Sequence, residues 1–202
     1  MSEIWLTSDT HFCHNQEFVY KSRGFNSVDE MNEAIVERWN SVVKSDDMVF
    51  VLGDLMLNDN EKALGYIKRL NGWLLVVWGN HDSETRQNFI RKKYPTIMEM
   101  GYAHQFKHHK LTCYLSHYPT LTANYDSGKH FNQNVINFHG HTHQQTNWLN
   151  LTNPFMYHVG MDSHNCTPVH IEEAISDIRN RWNEIGQLPV SMRPEDIYPY
   201  MR

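Results

Sequence analysis

Trp73-Leu74-Leu75-Val76-Val77-Trp78-Gly79-Asn80-His81-Asp82 holds both a strand and a site. The first six residues are apolar, aromatic or β-branched and read as a buried strand. The polar cluster begins where that run stops. The same pairing recurs along the chain. Ile4–Thr7 leads to Asp9-Thr10-His11, with His14 close behind. Met48–Leu52 leads to Gly53-Asp54, Thr112–Ser116 to His117, and Val135–Phe138 to Gly140-His141-Thr142-His143. A sixth run, Met156–Val159, precedes Gly160-Met161-Asp162. Helical patterns fill the intervals. Over Val28–Lys44, Ser27 and Glu30 form a capping box, and Met31, Ala34, Ile35, Trp39, Val42 and Val43 share one face. Further helices are expected over Glu61–Leu70, stopped by Asn71-Gly72, from near Ser83 to before Pro95, and over Ile171–Trp182. Strands alternating with helices indicate an α/β architecture, whose ligands gather at the carboxyl ends of strands.

Bulk properties narrow the class. The chain of 202 residues fits a single domain over 1–202, with 186–202, which carries three prolines, as an extended tail. With 40% hydrophobic and 20% charged residues it has a globular composition. A formal net charge of −5 argues against a broad basic surface for duplex nucleic acid. Three widely spaced cysteines, Cys13, Cys113 and Cys166, suggest reduced thiols rather than a disulfide framework. The opening residues lack the basic-then-apolar order of a secretory leader, and no apolar run is long enough to span a bilayer, so a cytoplasmic protein without membrane contact is expected. Fourteen histidines are many for this length.

The clusters supply two carboxylates, an amide oxygen and at least four imidazoles. In extended backbone, Asp9 and His11 would point the same way, as would His141 and His143, so each pair can present two ligands to one point. Oxygen and nitrogen donors without thiolate suit Mn²⁺, Fe, Zn²⁺, Ni²⁺ or Co²⁺ better than Ca²⁺. Seven donors are too many for one tetrahedral site and suit two metals sharing a carboxylate. Without a metal, carboxylates and imidazoles buried at strand ends would cost several kcal/mol.

This ordered set, D-x-H, GD, GNHD, a lone H and GHTH, resembles the calcineurin-like metallophosphoesterase superfamily from Asp9 to about Val169. It is especially similar to the small prokaryotic and viral members in Ser8-Asp9-Thr10-His11-Phe12, Trp39-Asn40-Ser41-Val42-Val43 and Val159-Gly160-Met161-Asp162. The resemblance implies a two-sheet β-sandwich flanked by helices and hydrolysis of a phosphate ester by a metal-bound hydroxide. It implies that Asp9, His11 and His143 hold one divalent ion, that Asn80, His117 and His141 hold a second, and that Asp54 bridges them, with Mn²⁺ the first metal to try. His81 would touch the substrate and protonate the leaving oxygen, with Asp82 an orienting group. Protein phosphatases of the superfamily place a second Asp three positions after GD, and Leu57 stands there, which weakens that reading.

His14 and Arg23 are candidate substrate contacts. His104, His108, His109, His130 and His170 pair with no motif and read as structural. The substrate is a phosphate ester, with a nucleotide or a nucleic-acid end among the candidates. The motifs contain no Lys or Arg, and a phosphomonoester dianion usually draws such residues, so a phosphodiester is favoured. The alternatives are a phosphomonoesterase or nucleotidase, and a non-catalytic scaffold of the same fold.

Overall fold

The computed structural model describes residues 2–122, 130–150 and 153–186. Nine strands and five helices follow in the order β1 (Ile4–Thr7), α1 (Glu17–Tyr20), α2 (Val28–Val42), β2 (Met48–Leu52), α3 (Asn60–Ile67), β3 (Trp73–Val77), α4 (Glu84–Lys93), β4 (Met98–Glu99), β5 (Ala103–His108), β6 (Leu111–Ser116), β7 (Val135–His139), β8 (Met156–His158), β9 (Val169–His170) and α5 (Ile171–Gly186). One sheet has the order β4-β3-β2-β1-β9 and the other β5-β6-β7-β8. β1 to β4 run parallel, with β9 antiparallel at the edge; β6, β7 and β8 run parallel, with β5 antiparallel at theirs. Two sheets flanked by helices are the architecture the motifs implied.

Strands β2 and β3 read as unbroken apolar runs because both faces are covered. Val49, Val51, Leu74 and Val76 face one core with Met31, Ile35 and Trp39 of α2, Ile67 of α3 and Ile90 of α4. Phe50, Leu52, Leu75 and Val77 face the core between the sheets with Cys113, Leu115, Ile136, Phe138 and Tyr157, which Ala174, Ile175 and Ile178 of α5 also enter. Polar groups fix the frame. The buried Asp47 carboxylate accepts from the backbone N–H of Glu3 and Lys44 and from the Trp5 indole, joining β1, the end of α2 and β2. Asn40 exchanges hydrogen bonds with Arg69 and Asn71, and Trp39 donates to the Asn71 carbonyl, so the end of α2 sets the turn into β3.

Ser27 caps α2 through the Glu30 N–H, but Glu30 reaches back to Asn26 rather than Ser27, so only half of the expected capping box forms. The expected tail over 187–202 lies outside the described residues. Among the described residues no helix is long and apolar enough to cross a membrane.

Candidate metal centre

Six parallel strands, β1, β2, β3, β6, β7 and β8, deliver the segments of the site from their carboxyl ends. The backbone there is not extended. Asp9, His11, Asp54, His141 and His143 all have left-handed φ, between 49° and 69°. Beyond β1 the chain stays zipped to the Gly53-Asp54 segment, with Asp9 N–H to the Gly53 carbonyl and His11 N–H to that of Asp54, both at 3.0 Å. Asp9 and His11 therefore share a face through left-handed residues, not through strand alternation, and the same correction applies to His141 and His143. Glycine is required at Gly53, where a Cβ would stand 2.6 Å from His117 Nδ1 and from the Gly79 backbone.

One group consists of Asp9, His11 and His143. Asp9 Oδ2 accepts from the Ser8 hydroxyl at 2.6 Å and from the His141 N–H at 2.9 Å. Asp9 Oδ1 is buried without a hydrogen-bond partner and faces the Nε2 atoms of His11 and His143, each 3.7 Å away. Those two nitrogens are 3.1 Å apart. Burial pushes the Asp9 carboxyl up, but the nearby imidazoles of His11, His143 and His117 outweigh it and hold the group well below the usual carboxylate range. A second group consists of Asp9, Asp54 and His117. Asp54 Oδ2 lies between the two sides, 3.8 Å from His11 Nε2 and 3.4 Å from His117 Nε2. Burial raises its carboxyl.

His117 shows most directly what the site lacks in its own atoms. Its Nδ1 lies 2.8 Å from the Leu52 carbonyl, which places a proton on Nδ1. Its Nε2 lies 2.7 Å from Asn80 Oδ1, so in the neutral ring two acceptors face each other. A cation that both atoms ligate resolves the conflict, as does turning the Asn80 amide so that its NH2 group donates. With the orphaned Asp9 oxygen and the burial-strained Asp54 carboxyl, the donor set fits divalent metal. The His141 ring stands edge-on to that of His117, with centroids 5.1 Å apart.

His81 stands at the open side. Its N–H donates to Asp54 Oδ1 at 2.8 Å, its Nε2 lies 4.0 Å from Asp54 Oδ2, and its side chain is 44% exposed. Asp82 does not touch that ring. Its carboxylate accepts from the N–H groups of Asp54, Leu55 and Gly79, clamping the Gly53-Asp54 and Gly79-Asn80 segments together. His14 joins the cluster, with Nδ1 3.3 Å from His11 Nδ1, and burial beside His11 and His81 pulls it down to about 4.

Arg23 does not reach into the cleft. It is buried, with Nε and Nη2 on Asp162 at 3.0 and 2.9 Å and further bonds to the carbonyls of Asp9 and Thr10. These contacts engage its donors on the protein itself and leave a positioning job in place of the expected substrate contact. Asp162 in turn accepts from His143 Nδ1 at 2.9 Å, which fixes that ring with Nε2 toward Asp9. The sequence signal for Asp162 was its place just after the sixth strand. Three further neighbours gave no signal. Arg86 of α4 donates to the His81 carbonyl. Exposed Phe18 and Tyr118 flank the centre, Phe18 edge-on to His14 at 5.9 Å and Tyr118 edge-on to His141 at 4.6 Å.

Residues 3–152 match the calcineurin-like phosphoesterase superfamily domain. An uncharacterised protein of Methanocaldococcus jannaschii is 35% identical over 71% of this chain and 70% of its own length. The gene 66 protein of Mycobacterium phage D29 is 27% identical over 88% of this chain and 98% of its own. A protein of unknown function from Aquifex aeolicus has a solved structure that superposes with a TM-score of 0.66 at 23% identity, covering 87% of this chain and 99% of that one.

Proposed function

The chain belongs to the calcineurin-like phosphoesterase superfamily and is a metal-dependent hydrolase of phosphate esters, and from that premise we propose that it cleaves phosphodiesters at a centre of two divalent ions. Asp9, His11 and His143 would hold one ion, and Asn80, His117 and His141 the other. The observation that carries this reading is the placement of Asp54 Oδ2 between His11 and His117, within 3.8 Å of both. Mn²⁺ is the first metal to supply. When bound, such ions polarise the phosphoryl group and make water nucleophilic near neutral pH.

The protein's own residues do the rest. Asp162 and the Leu52 carbonyl fix the tautomers of His143 and His117, so that each Nε2 is free to ligate. Asp82 holds the two ligand-bearing segments in register. His81 would give a proton to the leaving oxygen, a role supported by its backbone N–H bond to Asp54 and its solvent-open ring.

Charge supports a diester. Arg23 is engaged beneath the site, and Arg86 contacts the His81 carbonyl and Asn60 Oδ1. Among the described residues no guanidinium is seen gripping the space before the two clusters, whereas a monoester dianion would gain from one. The exposed rings of Phe18 and Tyr118 on either side support substrates with flat, stackable groups flanking the phosphate, as in nucleotides or nucleic-acid ends. Comparing kcat/KM for bis-p-nitrophenyl phosphate and p-nitrophenyl phosphate, with one metal at one pH, tests the reading. The diester should be preferred. An advantage of about tenfold for the monoester, worth 1.4 kcal/mol, would overturn the diester assignment and point to Arg86 as a phosphate contact.

A further inference from the structure

His108 and His109 matched no motif, yet the fold brings them together with Glu172, so that one donor atom from each lies within 4.8 Å of the others. His108 Nε2 is 2.6 Å and His109 Nε2 3.0 Å from the same oxygen, Glu172 Oε1. His108 ends β5 and His109 opens the turn into β6, and Glu172 lies in the first turn of α5, 63 residues beyond His109. The triad sits at the start of β6, whereas the metal centre lies past its end. At about 3.3 Å per residue the six-residue strand separates them by roughly 15–20 Å.

Neighbouring side chains on a strand point to opposite faces. His108 and His109 instead converge, with ring centroids 4.4 Å apart, because His109 has a left-handed φ of 51°. That conformation costs a side-chain-bearing residue on the order of 1 kcal/mol, which glycine would avoid. The contacts it makes in return are weak, because the side chains of His109 and Glu172 are 74% and 51% exposed. Local stability does not account for a strained histidine in a turn suited to glycine.

We propose that His108, His109 and Glu172 form a separate transition-metal site, binding an ion of the Co²⁺, Ni²⁺ or Zn²⁺ class through the two Nε2 atoms and Oε1, with solvent completing the shell. Two imidazoles and a carboxylate are a donor set these ions favour over Mn²⁺. Ligands about 2.0–2.2 Å from a tetrahedral ion stand about 3.3 Å apart, so the Glu172 oxygen needs to move only about 0.3–0.7 Å away from the two nitrogens. A bound ion would clip the hairpin of the second sheet to α5.

The test is equilibrium dialysis of tag-free protein against Co²⁺, comparing the wild type with His109→Gly. The variant removes the strained side chain, so its folding is not at risk. The wild type should bind one more Co²⁺ per chain, Zn²⁺ should raise its Tm more than that of the variant, and hydrolysis with Mn²⁺ should be the same in both. Glu172→Gln should weaken the additional Co²⁺ at least tenfold. Equal Co²⁺ content in the wild type and His109→Gly, or unchanged affinity in Glu172→Gln, overturns the proposal.

Discussion

Left-handed backbone at Asp9, His11, Asp54, His141 and His143 is the price of bringing their side chains to one place. Each such residue costs on the order of 1 kcal/mol, and strain of this kind concentrates at functional sites. The residue types were legible in the sequence, because every cluster followed an apolar run. The reason they converge was not, since strand alternation predicts the same facing pairs from a backbone the chain does not adopt. Asp162 and Arg23 show the same limit from another side. Their pairing spans 139 residues and depends on where β8 ends, which residue types alone do not show. His81 is the residue whose role is most exposed to test. Its ring lies at the open side of the centre and Asp54 holds its backbone, so His81→Ala should lower kcat by about 10²–10⁴-fold while the metal content stays the same. The loss should shrink for esters with a p-nitrophenolate leaving group, which needs no proton. Equal losses for good and poor leaving groups would show that His81 stabilises phosphate charge instead.

Elements were legible where both faces are buried. The sequence expectations for β1 and β2 agree with the structure to the residue, and β3, β6, β7 and β8 agree to within one. β5 escaped notice because it is an edge strand whose sequence, Ala-His-Gln-Phe-Lys-His, offers a single large apolar residue at Phe106. β4 and β9 have two residues each, too few for any periodicity. What binds the elements at the site is a buried ion pair. Arg23, between α1 and α2, grips Asp162 just beyond β8 and also the carbonyls that follow β1. The two side chains are 1% and 3% exposed. Asp162→Asn would leave a buried guanidinium without its counter-charge, so unfolding free energy should fall by about 3–5 kcal/mol. Glu33→Gln, which breaks the exposed pair with Arg69, should change it by less than about 1 kcal/mol. Denaturant titration of the two variants compares them directly, and similar small losses in both would contradict the clamp.

At the scale of the whole molecule, burial governs how the fold answers to acid. His158 is the last residue of β8, with Nδ1 on the Ser163 hydroxyl and Nε2 buried without a partner. Burial pushes its imidazole down to about 3. An unfolded histidine takes up a proton below about 6.5, whereas folded His158 stays neutral, so stability is fully present above that pH and falls as the pH drops. The slope from this one group approaches about 1.4 kcal/mol per pH unit. Guanidinium midpoints of the metal-free chain at pH 7, 6 and 5 should therefore fall more steeply for the wild type than for His158→Gln, and parallel slopes would contradict the assignment. The sheet order explains how two layers of strands can serve one centre. Carboxyl ends of six parallel strands from two sheets meet along a single edge, and the ligands arrive from both. The central claim is that this edge holds two ions sharing Asp54. It is tested most directly by Mn²⁺ analysis of the His109→Gly chain, saturated and then desalted, with electron paramagnetic resonance on the same sample. The account predicts close to two Mn²⁺ per chain and an exchange-coupled spectrum; a stoichiometry of one with full activity would contradict it.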